Sequence, residues 1–196
     1  MKALVIIDMQ NDFLPGGSLA VEGGDELIPI INDLPSSYEL VVASQDWHPK
    51  NHKSFASQHE GKGVYDVISL QGQEQVLWPD HCVQGSEGAE FSQMLKTEKV
   101  EAIFRKGMDE NIDSYSAFFD NGHQKNTGLH GYLQDRGVKE VHFCGIAADF
   151  CVYFSALDAL TLGYTSCILT KATKAIDRGG YIEKKANFLR KGGVLI

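Results

Sequence analysis

Basic residues are scarce in this 196-residue chain: 18 Lys plus Arg stand against 26 Asp plus Glu, a net charge of −8. No long basic run compensates, so the electrostatic footprint of a nucleic-acid binder is missing. Long apolar runs are missing too. The first, Ala3 to Ile7, stops at Asp8, too short for a signal-peptide core or a membrane span, which implies a cytosolic protein with no membrane segment. The cysteines Cys82, Cys144, Cys151 and Cys167 form no C-x-x-C pair. A chain of this length buries about 70% of its unfolded surface and needs no disulfide staples, so they read as reduced thiols. Neither a G-x-G-x-x-G fingerprint nor a phosphate-binding P-loop is present, and no nucleotide cofactor is implied. No repeat, low-complexity stretch or linker divides the chain, and residues 1–196 read as one domain.

What is present is an alternation of short β-rich runs with helical patterns. The runs are Ala3–Ile7, Leu40–Ala43, Ala102–Phe104, Val141–Cys144 and Ser166–Leu169, with Gly192–Ile196 as a sixth. They are continuous rather than alternating, as suits strands covered on both faces. Helical patterns cover Asp25–Leu34, Leu129–Arg136 before Gly137, Asp149–Leu162 before Gly163, and Tyr181–Arg190. The expected architecture is a three-layer α/β/α sandwich on a parallel sheet. The stretch from His48 to Pro79 is polar and weakly periodic, and reads as a long loop.

In such sheets the carboxyl ends of the strands carry the ligand site. Asp8 ends the first run, Asp46 and His48 follow the second, Lys106 the third, and Gly145 to Cys151 the fourth. Cys151 falls at a helix start, where free N–H groups and the dipole favour the thiolate; Lys106 would lower its pKa further, and Asp8 could take its proton. The competing reading is a buried packing cysteine, and for Cys144 and Cys167, inside strands, that reading holds. Asp46-x-His48 suits metal ligation from an extended segment, with His81 as a third ligand and open positions left for water or substrate. His52, His59 and Glu60 are candidate further ligands. His123, His130 and His142 have no partner spacing and read as surface or satisfied core residues.

These residues resemble the nicotinamidase/pyrazinamidase branch of the isochorismatase-like cysteine hydrolases. Five ordered motifs carry the likeness: Ala3 to Phe13 around Asp8, Asp46-Trp47-His48-Pro49, Trp78-Pro79-Asp80-His81-Cys82, Lys106-Gly107, and Gly145 to Val152. The resemblance implies a six-stranded parallel sheet, a catalytic set of Asp8, Lys106 and Cys151, and one divalent metal on Asp46, His48 and His81. It implies an aromatic slot of Phe13, Trp78 and Tyr115. It also implies a cis peptide before Ala147 that turns the N–H groups of Ala147 and Cys151 into an oxyanion hole. The chain departs from the family motif at Ala148 and Phe150, and both positions are expected behind the reacting groups.

The expected function is hydrolysis of nicotinamide, and of related pyridine or pyrazine carboxamides, through a Cys151 thioester in NAD salvage. The metal would be zinc, manganese or iron, with zinc favoured. The partners are small molecules, with neither nucleic acid nor membrane, and a homo-oligomer is compatible. The alternatives are another amidohydrolase of the superfamily, a metallohydrolase using metal-activated water, and a silent metal-binding module.

Overall fold

The computed structural model describes Met1–Ile196. In chain order its elements are β1 (Lys2–Ile7), α1 (Leu27–Asp33), β2 (Leu40–Asp46), β3 (Val67–Leu70), β4 (Gln73–Val76), β5 (Ala102–Lys106), α2 (Leu129–Asp135), β6 (Glu140–Ile146), α3 (Cys151–Thr161), β7 (Thr165–Lys174), α4 (Arg178–Arg190) and β8 (Val194–Leu195). Six strands form one sheet in the order β5-β2-β1-β6-β7-β8, and every neighbouring pair is parallel.

Successive residues of β1 point to opposite faces and seed two cores. Ala3, Val5 and Ile7 join Val42, Phe143, Leu133, Val152, Ala156 and Phe188 beneath α2, α3 and α4. Leu4 and Ile6 join Val41, Cys144, Ile146, Leu27, Ile28 and Ile31 beneath α1. That is why the central runs are apolar at every position. β5 differs: its residues alternate in exposure because it lies at the sheet edge.

The strands outrun the apolar segments that announce them. β2 continues through Ser44 and Gln45 to Asp46, β5 to Lys106 and β6 to Ile146, because pairing and burial extend over polar residues. Asp46 and Lys106 therefore sit on strand ends as register partners rather than on the loops beyond. α4 begins three residues before the expected Tyr181, since the Asp177 carboxylate accepts from the N–H groups of Gly179 and Gly180. α3 begins two residues later than Asp149, because Phe150 (φ −123°, ψ −95°) is outside helical geometry. The stretch between His48 and Pro79 is also not all loop. It contains the antiparallel hairpin β3–β4, with Val67 opposite Val76.

Strand order reverses between β1 and β6, with β2 and β5 on one side and β7 and β8 on the other. The crevice at the carboxyl ends of these two strands is where such folds place ligands.

Candidate active site

Four strand ends deliver the reactive groups. Lys106, fully buried at the end of β5, points its ammonium 2.6 Å from Asp46 Oδ1, 2.9 Å from Asp8 Oδ2 and 3.3 Å from Cys151 Sγ. It also donates to the Ser114 carbonyl at 3.1 Å. Asp8, just past β1 at φ +48°, takes a left-handed conformation that aspartate tolerates better than most residues. Its Oδ1 accepts from Ser44 Oγ at 2.7 Å, whereas Oδ2 has no aligned hydrogen-bond donor. The carboxylates of Asp8 and Asp46 and the sulfur of Cys151 lie within 4.8 Å of one another.

One cation shared by two carboxylates divides them. Burial raises Asp46, but Lys106, His48 and His81 outweigh it and hold Asp46 well below the usual carboxylate range. For Asp8 burial wins over Lys106, and its pKa is raised. Burial also pushes the Cys151 thiol well up, although Lys106 opposes it. Burial thus works against the thiolate that the helix start and the Lys106 ammonium favour. Lys106 itself is held above its ordinary value, since Asp46, Asp8 and Cys151 overcome the effect of burial.

On the other side of Asp46, His48 Nε2 and His81 Nε2 stand 3.6 and 3.9 Å from Oδ2. His48 Nδ1 donates to the Gly107 carbonyl at 2.9 Å and His81 Nδ1 to the Pro79 carbonyl at 2.8 Å. A carbonyl can only accept, so each Nδ1 carries a proton and each Nε2 faces the centre. Tethering the remote nitrogen in this way is what orients metal-binding histidines. Burial, with a further push from His48, lowers His81 to about 4, so it is uncharged at neutral pH. One carboxylate and two imidazoles, all buried with donor atoms converging, fit a divalent cation. Gly107 (φ +65°) makes the packing feasible, since a Cβ there would come within 2.3 Å of the His48 ring.

Gly145 (φ +109°) lets the end of β6 pass close against the Ile7 carbonyl, which a Cβ would meet at 2.1 Å. The peptide between Ile146 and Ala147 is cis. In the loop that follows, Ala148 N–H donates to Lys174 O, and the N–H groups of Phe150 and Val152 both donate to Ala147 O. The N–H groups of Ala147 and Cys151 take no part in these closing bonds.

A small cavity opens over the sulfur, lined by Phe13, Trp78, Tyr115, Ala147 and Phe150 together with Asp46, His48 and His81. Trp78 meets Phe150 edge-on with ring centres 4.9 Å apart, and Tyr115 meets Phe150 at 5.3 Å.

A family model, the isochorismatase domain, matches residues 2–195. The chain belongs to the isochorismatase-domain family. Within it, the nicotinamidase of Acinetobacter baylyi is 47% identical over 192 residues, covering 98% of this chain and 90% of that protein. The solved Acinetobacter baumanii nicotinamidase pyrazinamidease superposes with a TM-score of 0.97 at 47% identity, covering 100% of this chain and 95% of that one. The Pyrococcus horikoshii pyrazinamidase, solved in complex with zinc, superposes with a TM-score of 0.82 at 35% identity, covering 100% and 98%.

The residues picked from the sequence meet here: Asp8, Lys106 and Cys151; Asp46, His48 and His81; Phe13, Trp78, Tyr115 and Ala147. Of the three candidate further ligands, His52 alone reaches the rim. Its ring centre is 4.4 Å from that of His48, its Nδ1 is 2.7 Å from Ser54 Oγ, and its Nε2 is buried without a partner. His59 Nε2 instead donates to the Lys53 carbonyl, and Glu60 is exposed. Phe150 is a correction: it lines the cavity rather than standing behind it. His123, His130 and His142 are surface or satisfied core residues as expected, partnered by Asp158, the Tyr164 hydroxyl, and Glu140 with Tyr38 respectively.

Two residues of this family member escaped sequence reading. Asp113 lines the cavity beside Tyr115, and its place in the run Asp113-Ser114-Tyr115 was the available signal. Gln75 of β4 is buried and bridges Asp113 Oδ2 and Tyr115 Oη, both at 3.0 Å. Nothing in a polar hairpin distinguishes it beforehand.

Proposed function

We propose that this chain is a nicotinamidase, hydrolysing nicotinamide to nicotinate and ammonia through a thioester on Cys151, and that pyrazinamide, a related carboxamide, is a further substrate. The supporting observation is the convergence of Cys151, Lys106 and Asp8 on Asp46, a member of a metal-competent triad, beside one aromatic cavity.

The chemistry follows from the charges. Asp8, with its raised pKa and an oxygen lacking an aligned donor, takes the thiol proton as the sulfur adds to the carboxamide carbon. The N–H groups of Ala147 and Cys151, set in advance, donate to the developing oxyanion. Asp8 returns the proton to the departing nitrogen, ammonia leaves, and the thioester remains. Water then adds with Asp8 as base, and the carbon–sulfur bond breaks to release nicotinate and the thiol. Lys106 holds the cluster's charge balance throughout. A divalent cation on Asp46, His48 and His81, with zinc the favoured ion, would offer the ring nitrogen a coordination position. The same reading makes residues 1–196 one domain, since the sheet draws strands from both ends of the chain.

Steady-state ammonia release from nicotinamide tests the assignment. Cys151→Ala should abolish it. Cys144→Ala should retain it and cost about 1 kcal/mol of stability from lost packing, read by chemical denaturation. Turnover persisting in Cys151→Ala would transfer the reaction to metal-activated water.

A further inference from the structure

The acid-x-His pattern of the active site occurs a second time, at the opposite end of the sheet. Glu140 and His142 are two apart on β6 and so project from one face of the strand. Cys167 of β7 is the register partner of His142 across the parallel pair. The carboxylate, imidazole and thiol donor atoms of these residues lie within 4.8 Å of one another. His142 Nε2 is 2.6 Å from Glu140 Oε1, and His142 Nδ1 is 2.8 Å from the Tyr38 hydroxyl. The remote nitrogen is thus tethered, as in His48 and His81, leaving Nε2 directed at the cluster. His142 and Cys167 are buried, whereas the Glu140 side chain is 42% exposed and leaves a path from solvent.

We propose that Glu140, His142 and Cys167 form a second metal site, which takes a borderline divalent cation of the zinc class. A thiol beside an imidazole excludes magnesium and calcium, which require oxygen ligands, and three protein ligands leave a position for water. Binding releases the Cys167 proton to solvent. The imidazole proton moves from Nε2 to Nδ1, where the Tyr38 oxygen accepts it, and Nε2 and one Glu140 oxygen close on the metal. Glu140 opens β6 and the catalytic loop follows its end, so seven residues at about 3.3 Å each put roughly 20 Å between the two sites. The ion would join β6, β7 and the segment carrying Tyr38 without entering the reaction.

The test uses the whole enzyme. Wild type, Cys167→Ser and Glu140→Gln are equilibrated with zinc chloride, freed of unbound metal by gel filtration and analysed for zinc per chain. Retained nicotinamide turnover shows that each variant is folded, and Glu140→Gln, at a partly exposed position, guards against misfolding of the buried one. Wild type should hold a second equivalent that both variants lack. Titration with cobalt(II) should give thiolate-to-metal charge-transfer absorption in wild type and in Cys151→Ala, and none in Cys167→Ser. A single equivalent in wild type, or a thiolate band that survives in Cys167→Ser, would overturn the proposal.

Discussion

Lys106 gives up all contact with water to serve two carboxylates and a thiol, and it does so unequally: Asp46 sits closer than Asp8. The result is a division of labour between chemically identical side chains. Asp46, held ionised, is suited to a cation, and Asp8, with its raised pKa, is suited to carrying a proton. On the other side of Asp46 the imidazoles of His48 and His81 are fixed by backbone carbonyls. If the metal they hold reads the pyridine nitrogen, benzamide, which has the same shape without that nitrogen, should be the poorer substrate. Chelation should then lower kcat/KM for nicotinamide more than for benzamide, with circular dichroism confirming an intact fold. Equal losses for the two amides would remove ring recognition from the metal.

At the scale of elements, the central strands could be read because two core faces leave no polar position in the middle of the sheet. β1 is the clearest case, and its boundaries differ from the expected run by one residue. Reading failed where tertiary contacts rescue polar residues. Ser44 and Gln45 extend β2 because Asp8, Ala89 and Arg105 are there to bond them. The residues proposed for catalysis and metal binding were visible because reactive side chains collected at strand ends, whereas Gln75 was invisible because its importance lies in what it touches. Phe150 was misplaced for a related reason: motif position does not say which way a ring turns. The start of α4 depended on one cap. Asp177→Ala removes two hydrogen bonds from its first turn and should cost about 1 kcal/mol in urea denaturation. Lys184 lies on the same helix and donates to the Asp149 carbonyl, two residues before the nucleophile. Asp177→Ala should therefore slow turnover as well, and a stability loss with unchanged turnover would separate the helix from the site.

For the whole molecule, burying histidines without charge links stability to acid. Burial, aided by His48, lowers His52 to about 4. The unfolded chain takes up that proton near the ordinary histidine value of 6.5, and the folded chain refuses it until about 4. The stabilisation is present above the higher value and is lost as pH falls through that window. Metal-free protein should show a urea midpoint that declines between those limits. His52→Asn, which can keep the bond to Ser54, should flatten the decline, and an unaltered slope would dissociate His52 from it.

Asp8, Lys106 and Cys151 come from the ends of β1 and β5 and from the start of α3 after β6, and the sheet interleaves those strands out of chain order. Partial assembly therefore has nothing to catalyse with: a fragment stopping short of α3 lacks the sulfur, and one beginning after β1 lacks the base. Such long-range pairing makes ordering slow, because distant segments must meet before contacts compensate for the lost chain entropy. Ammonia release is thus an all-or-none gauge of completed architecture. On dilution from denaturant it should recover with the last spectroscopic phase and never ahead of it. Activity returning ahead of that phase would mean that a subset of strands suffices to build the site.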